Sequence, residues 1–282
     1  MPALQPNALE RNPNNLALTK VADYRRDIRA SLERVWENVL DWEHLPHLHD
    51  SAFAYCELDE AGDWGWRTWA NAAHSDHIEL CVAETEYVAR SYQGGQQQSE
   101  IWTHLRPDGD DTVIHVEFFA ADVPSDSVDA YGEVYLALYR QLWDEDEAMM
   151  RERQRRLDLP RGEAVEVDLG PAAELMPQLP VTVTLRNGEY RVESRSGELV
   201  ALPTVCPHRL GPLAVEDEKG AVLHCHWHGY RFDRDSGACL SPPGARCRLR
   251  PAPMIVRENG RVILRQPPNS GDSSLNSNSG DS

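Results

Sequence analysis

Two short loops rich in cysteine and histidine decide how the second half of this 282-residue chain folds. Residues 206–211 read CPHRLG and residues 225–229 read CHWHG. Their candidate metal ligands follow the pattern C-x-H, sixteen residues, then C-x-x-H. A single zinc ion usually takes ligand pairs that are separated by two or more residues, whereas two irons bridged by sulfide accommodate a C-x-H pair. The spacing therefore favours an iron–sulfur site over a structural zinc site.

The ligand pattern resembles that of the Rieske family, in which two cysteines hold one iron of a [2Fe–2S] cluster and two histidines hold the other. The resemblance implies that Cys206 and Cys225 hold one iron and that His208 and His228 hold the second. Cytochrome-complex Rieske proteins carry an additional cysteine in each loop, and neither loop has one here. The chain therefore resembles the ferredoxin and oxygenase branch. The remaining cysteines are predicted to be small buried side chains: Cys56, Cys81, Cys239 and Cys247.

A second group of metal-binding side chains lies far upstream. Residues 38–49 read NVLDWEHLPHLH, in which Asn38, Asp41, His44 and His49 follow the spacing N-x2-D-x2-H-x4-H. This segment resembles the mononuclear-iron motif of Rieske non-haem iron oxygenases, especially the vanillate-demethylase branch. The resemblance implies that His44 and His49 are ligands of a mononuclear Fe(II) and that Asn38 and Asp41 complete the catalytic motif.

The order of these side chains also suggests how they would reach one metal. Asp41 and His44 are three residues apart, which predicts that they share one face of a helix. Pro46 is predicted to break that helix and to let His49 return to the same ion. In the resembled family, the aspartate of this motif connects the Rieske histidine to the iron ligand. Carried over, the predicted electron relay is His228–Asp41–His44.

The third iron ligand is predicted in a helix near residue 146. Residues 143–154 read WDEDEAMMRERQ, which is similar to the late helix of the vanillate-demethylase branch and places the carboxylate at Asp146. Two histidines and one carboxylate leave coordination positions open on Fe(II) for dioxygen and substrate. Other residues compete for these places, either with His49 or with Asp146: His47, Asp144, Glu145 and Glu147.

The segments around this motif predict an α+β domain. Residues 22–30 read as a strand, and Ser31 is a predicted helix cap. Strand-like stretches follow over 52–123, and a long helical pattern covers 127–157. Strand, helix, several strands and a long final helix describe a helix-grip (START-like, SRPBCC) fold, whereas the second half reads as all-β. The predicted divisions are an irregular arm at 1–20, a catalytic domain at 21–159, a Rieske domain at 160–267 and a disordered tail at 268–282.

The charge and composition of the chain limit the classes of molecule that it is expected to bind. The net charge of −18 argues against nucleic acid as a partner. Residues 1–159 carry a net charge of −17 and residues 160–268 a net charge of +1. We expect an acidic electron donor to dock on the second domain, near Arg246, Arg248 and Arg250. No apolar run predicts a membrane span or a secretory signal, so a cytoplasmic protein is expected.

Together these patterns predict the terminal oxygenase component of a multicomponent system. The resemblance implies electrons from an NAD(P)H-dependent reductase, with or without a ferredoxin, and O2 as co-substrate. Two arrangements stay open for the inverted chain: a homotrimer like that of the family, in which electrons cross between subunits, or a chain that brings its own two sites together. It favours hydroxylation or oxidative demethylation of a small, mostly apolar substrate, and monooxygenation over dioxygenation. The domain order is reversed, since the Rieske domain comes first in the resembled family. The alternative is a non-enzymatic Rieske electron-transfer protein fused to a helix-grip ligand-binding domain.

Overall fold

The computed structural model describes residues 18–160, 162–216 and 220–267. The chain divides into two compact units, Met1–Leu157 and Asp158–Ser282. The predicted disordered tail and residues 1–17 of the predicted arm lie outside the described residues.

The first unit is built on one antiparallel sheet of seven strands. The strands are β1 Leu18–Ile28, β2 Glu57–Gly62, β3 Gly65–Trp69, β4 Asp76–Val82, β5 Glu86–Gln93, β6 Gln96–Asp108 and β7 Asp111–Ala121, and their order is β1-β7-β6-β5-β4-β3-β2. In β7, Ile114, Val116 and Phe118 are fully buried and alternate with partly exposed residues. This period of two directs one face of the sheet into the core.

Helices cover that face. They are α1 Leu32–Val39, a 3-10 helix Trp42–His44, α2 Leu45–Leu48 and α3 Val128–Asp158. The predicted cap of α1 is confirmed, because the side chain of Ser31 accepts a hydrogen bond from the backbone N–H of Arg34. Trp143 and Met150 of α3 join the core of the sheet, which gives the predicted helix-grip arrangement. Within the described residues, no helix is both long enough and apolar enough to cross a membrane.

The strand that opens the sheet is longer than predicted. β1 begins at Leu18, so the last three residues of the predicted irregular arm belong to the sheet, where they pair with β7. The pairing shifts register at Val21, and a Cβ atom on Gly132 of α3 would lie 2.5 Å from the carbonyl oxygen of that residue. The start of β1 depends on its pairing with β7 and on its close contact with α3, and the local sequence shows neither of these.

The second unit consists of three small antiparallel sheets, as its turn signals predict. Its strands are β8 Glu166–Pro171, β9 Val181–Leu185, β10 Gly188–Arg195, β11 Glu198–Pro203, β12 Ala214–Val215, β13 Val222–Cys225, β14 Tyr230–Asp233, β15 Cys239–Ser241, β16 Met254–Glu258 and β17 Arg261–Arg265. Two predicted hairpin turns are confirmed: Ser196-Gly197 joins β10 to β11 and Asn259-Gly260 joins β16 to β17, with positive φ at all four residues. The four-residue helix α4, Ala172–Leu175, was not predicted.

Candidate metal centres

The segment that carries the upstream histidines consists of the end of α1, a 3-10 helix and the short helix α2. Helix α1 ends at Val39, and Asp41 then caps the 3-10 helix by accepting a hydrogen bond from the backbone N–H of Glu43 at 3.2 Å. The predicted helix break at Pro46 is therefore wrong, because Pro46 lies in the first turn of α2. Proline is tolerated there because a first-turn residue needs no N–H for the helix. Asp41 and His44 accordingly lie at the two ends of a 3-10 turn and share no α-helical face.

The structure brings His44, His49 and Asp146 together. The Oδ1 atom of Asp146 lies 3.0 Å from His49 Nε2 and 3.5 Å from His44 Nε2. The candidate ligand atoms of these buried residues all lie within 4.8 Å of one another. Two imidazole nitrogens and one carboxylate oxygen are the donor set of non-haem Fe(II) sites. The donors present in the first unit therefore fit the predicted mononuclear iron.

Three of the four competing residues point away from the candidate ligands. His47 is exposed. Asp144 forms an ion pair with Arg26 at 2.7 Å, and Glu147 forms ion pairs with both Arg26 and Arg29. These pairs tie β1 and the residue just after it to α3, which gives Asp144 and Glu147 a structural role at this position.

Asn38 contacts the candidate carboxylate directly. Its Nδ2 atom donates a hydrogen bond to Asp146 Oδ1 at 3.0 Å, and both residues are buried. The contact joins α1 to α3 at the cluster. It also limits the positions that Asp146 can adopt, because a buried amide without an acceptor would cost about 1–3 kcal/mol.

Charge and burial act in opposite directions on the pKa values of this cluster. Burial raises the pKa of Asp146, but the hydrogen bond and charge of His49, the charge of His44 and the Asn38 amide outweigh it and leave the pKa below its usual value. Burial lowers the pKa of His49, but Asp146 and Glu145 outweigh it and raise the pKa. The carboxylate and the imidazole thus each favour the charged form of the other.

Two phenols near the cluster, the buried Tyr87 and the partly buried Tyr139, were not anticipated from the sequence. Burial chiefly raises the pKa of Tyr87 and Tyr139, and the charge of Asp146 adds to the rise for both. Tyr87 also contacts the ring of Trp36 edge-on at 6.1 Å. No local motif marks these residues, since β5 and α3 bring them together only in the folded sheet.

In the second unit, the first Cys/His loop follows β11. The backbone N–H of Cys206 donates to the carbonyl of Gly211 at 2.8 Å, and the N–H of Leu210 donates to the carbonyl of Cys206 at 3.1 Å. A Cβ atom on Gly211 would lie 2.7 Å from Cys225 Sγ and 2.7 Å from the ring of Trp227. The loop therefore closes tightly over the second loop only because residue 211 is glycine.

The second loop connects β13 to β14, where Cys225 pairs with Tyr230 across the hairpin. The rings of His208 and His228 meet edge-on at 4.7 Å, and the ring of Tyr230 stacks on that of His208 at 4.3 Å. Both predicted histidine ligands therefore come to one place. Tyr230 orients one of them.

The two sulfur atoms are also adjacent. A hydrogen bond from Cys206 lowers the pKa of Cys225 to about 7, and the same contact raises the pKa of Cys206. Backbone N–H groups of both loops point at the sulfurs, which favours thiolate ligands. Two thiolates beside two imidazoles fit the donor set of a Rieske cluster. Of the four other cysteines, Cys81 is buried as predicted, whereas the prediction of burial is wrong for the three that are only half-buried: Cys56, Cys239 and Cys247.

A family model agrees with this geometry, since the Rieske [2Fe-2S] domain model matches residues 159–259. The chain contains a Rieske domain. Such a domain implies a [2Fe–2S] cluster, and the four residues that would hold it here are Cys206, His208, Cys225 and His228. The match lies within the second unit, ends before β17, and leaves the helix-grip unit outside it.

Curated relatives match only short stretches of the Rieske-containing chain. Pheophorbide a oxygenase, chloroplastic, from Oryza sativa subsp. japonica is 43% identical over 76 residues, which are 26% of this chain and 14% of that protein. The putative toluene-4-sulfonate monooxygenase system iron-sulfur subunit TsaM2 from Comamonas testosteroni is 43% identical over 51 residues, 18% of this chain and 14% of that protein. The chain thus spans about one seventh of the length of these relatives.

Solved structures are similar at a lower level. A START superfamily protein from Mycobacterium smegmatis has a TM-score of 0.37 at 20% identity and covers 46% of this chain and 99% of its own. The NdmA QL mutant with caffeine from Pseudomonas putida CBB5 has a TM-score of 0.38 at 17% identity and covers 54% of this chain and 46% of its own.

Proposed function

We propose that this chain is a terminal oxygenase with an inverted domain order. The observation that carries the proposal is the presence of two metal-binding donor sets in one chain. One is the Rieske set of the second unit, and the other is the cluster of His44, His49 and Asp146 in the helix-grip unit. A Rieske electron-transfer protein has no need of the second set. The relatives named as oxygenases and monooxygenases support the same class of reaction.

The roles of the residues follow from their contacts. When bound, the cluster and the Fe(II) would supply one-electron transfer and O2 activation. Asn38 donates to Asp146 Oδ1, the oxygen that also faces His49 and His44, and so holds the carboxylate at the cluster. We keep Asp41 as the predicted relay between His228 and His44, on the strength of the family resemblance.

The substrate is proposed to be small and mostly apolar. The ring of Phe118 in the core of the helix-grip unit contacts those of Tyr135 and Tyr139 at 5.5 and 4.6 Å, and Tyr139 is close enough to Asp146 for the carboxylate to raise its pKa. Apolar surroundings of this kind favour aromatic or terpenoid-like molecules. Insertion of one oxygen atom, as hydroxylation or oxidative demethylation, is proposed over dihydroxylation. A reductase that oxidises NAD(P)H, directly or through a ferredoxin, would provide the electrons, and a homotrimer is proposed for the assembly.

The metal content tests the function. We expect anaerobically purified protein to contain about three irons and two acid-labile sulfides per chain, with a Rieske-type EPR signal after reduction by dithionite. A count of about two irons and two sulfides that does not rise after addition of Fe(II) would contradict the oxygenase. It would favour the electron-transfer protein with a ligand-binding domain instead.

The docking of the electron donor gives a separate prediction. Arg246, Arg248 and Arg250 are exposed and alternate with the inward-facing Cys247 and Leu249. Replacing all three arginines by glutamate should slow reduction of the cluster by an acidic plant-type ferredoxin about tenfold at low salt, because electrostatic steering is lost. Stopped-flow measurements between low and high salt would show this loss.

The matched control reverses three exposed arginines of the acidic unit, Arg106, Arg140 and Arg151. It should leave the reduction rate within about twofold, since steering acts through the surface that the donor meets. Thermal unfolding of the first variant must be compared with that of the native chain, because Arg248 donates to the carbonyl of Ser236. Equal rates for native protein and variant, with no dependence on salt, would refute docking at this surface.

A further inference from the structure

His49 has a carboxylate on each of its ring nitrogens. Its Nε2 atom lies 3.0 Å from Asp146 Oδ1, and its Nδ1 atom lies 2.6 Å from Glu145 Oε2. His49 itself is almost completely buried, at 2% exposure. Two consecutive residues of one helix therefore grip the same imidazole from different sides.

We infer that Glu145 is the positioning residue of the mononuclear site: it holds the Nδ1–H of His49 and so presents Nε2 to the metal. This inference rests on the proposed mononuclear iron. With a metal bound through Nε2, the imidazole would keep a single N–H, on Nδ1, and the Glu145 carboxylate is placed to accept it. The lone pair then lies on Nε2, the nitrogen that faces Asp146. Carboxylates in this position orient metal-bound histidines and increase their basicity.

The helix explains how both carboxylates reach one ring. Successive residues of an α-helix point about 100° apart around its axis. Glu145 and Asp146 of α3 therefore project on two sides of the direction in which His49 lies. Asp144, one residue earlier, projects away from the ring toward Arg26, and its side chain is 70% exposed. Of Asp144 and Glu145, only Glu145 can thus contact the Nδ1 side of His49 while Asp146 faces the Nε2 side.

A second contact chain holds Glu145 in place. The amide of Gln141, one helical turn earlier, donates to Glu145 Oε1 at 2.9 Å and to Ser51 Oγ at 2.8 Å. An amide NH2 group has two hydrogens, so Gln141 can make both bonds. Ser51 is two residues after His49. The loop that carries both residues therefore contacts α3 twice, through the His49 imidazole and through the Ser51 hydroxyl. Such bracing keeps the ring from rotating when Asp146 shifts to a metal.

Co(II) is the probe for the test, bound to full-length protein that carries its [2Fe–2S] cluster. We expect E145Q to bind Co(II) about 10- to 100-fold more weakly than the native chain, the range typical for loss of such a partner. The control D144N removes the same charge one residue away and should stay within about twofold. Proton NMR of the Co(II) form supplies a second measurement, the exchange rate of one His49 proton, which a general loss of stability would not change. The native chain should show a slowly exchanging, paramagnetically shifted Nδ1–H from His49, and this proton should exchange rapidly in E145Q but slowly in D144N.

The outcomes separate this inference from the proposed function. If the native chain binds no Co(II), the mononuclear site itself is overturned, and the role of Glu145 with it. If the native chain binds Co(II) but E145Q matches it in affinity and in proton exchange, the role of Glu145 is overturned and the metal site stands. If E145Q does not fold, Q141M is the second variant. It keeps Glu145 and removes the hydrogen bond that the Gln141 amide donates to Glu145 Oε1. That variant should then show faster exchange of the same proton, and unchanged exchange would overturn the inference.

Discussion

Replacing Asp146 by alanine should remove the mononuclear iron and leave the [2Fe–2S] cluster in place. Asp146 is the carboxylate that reaches both His44 and His49, so the variant keeps only two nitrogen donors. It also leaves the buried amide of Asn38 without its acceptor, at a cost of about 1–3 kcal/mol. We expect about two irons per chain instead of three, an unchanged Rieske-type EPR signal, and no O2-dependent turnover.

Asp144→Ala is the matched control for this experiment. It removes a carboxylate from the same turn of α3, but its side chain pairs with Arg26 and lies away from the histidines. It should keep about three irons. An Asp146→Ala protein that retained the third iron would show that another carboxylate supplies the ligand, and the assignment of Asp146 would fail.

Replacing Cys225 by serine should have the converse effect and abolish the cluster. The sulfur of Cys225 lies in hydrogen-bond contact with Cys206, and both residues are almost fully buried. A hydroxyl at neutral pH does not provide the thiolate that the cluster needs. We expect loss of about two irons and two sulfides, disappearance of the visible absorption, and a lower unfolding temperature, since bound metal contributes to folding stability.

The control for this variant is Cys239→Ser. Cys239 lies in β15 of the same unit, is half-buried, and donates through its sulfur to the carbonyl of Ser241 at 3.1 Å, a contact that a serine can preserve. This protein should keep the full cluster spectrum. Cys225→Ser should retain the mononuclear iron, because His44, His49 and Asp146 all belong to the other unit. A Cys225→Ser protein with an intact Rieske spectrum would contradict the ligand assignment.

Local signals in the sequence predicted a large part of the fold. Ser31 caps α1, and the Ser196-Gly197 and Asn259-Gly260 pairs form the predicted turns. The long helix was predicted over 127–157 and is found at Val128–Asp158. These features depend on side chains and backbone angles within a few residues, which is why the local sequence is sufficient to predict them.

Other features depend on residues that are distant along the chain, and there the prediction was wrong or silent. The break in the histidine segment lies before Asp41, since α1 ends at Val39 with the exposed Leu40 as its cap, and Pro46 lies in the first turn of α2. The early start of β1 depends on β7, which is its partner strand. Glu145 was considered only as a competing ligand, because its contact with His49 spans 96 residues.

The sequence by itself determined the chemistry of the donors: two cysteines and two histidines in tight loops, and histidines with a run of carboxylates elsewhere. These are properties of residue types and short spacings. The tertiary structure decided which carboxylate faces the histidines and which supports them. The rotation of α3 against the sheet directs Asp146 to both imidazoles, Glu145 to the far side of His49, and Asp144 to Arg26. Adjacent acidic residues have similar chemistry, and only packing gives them different partners.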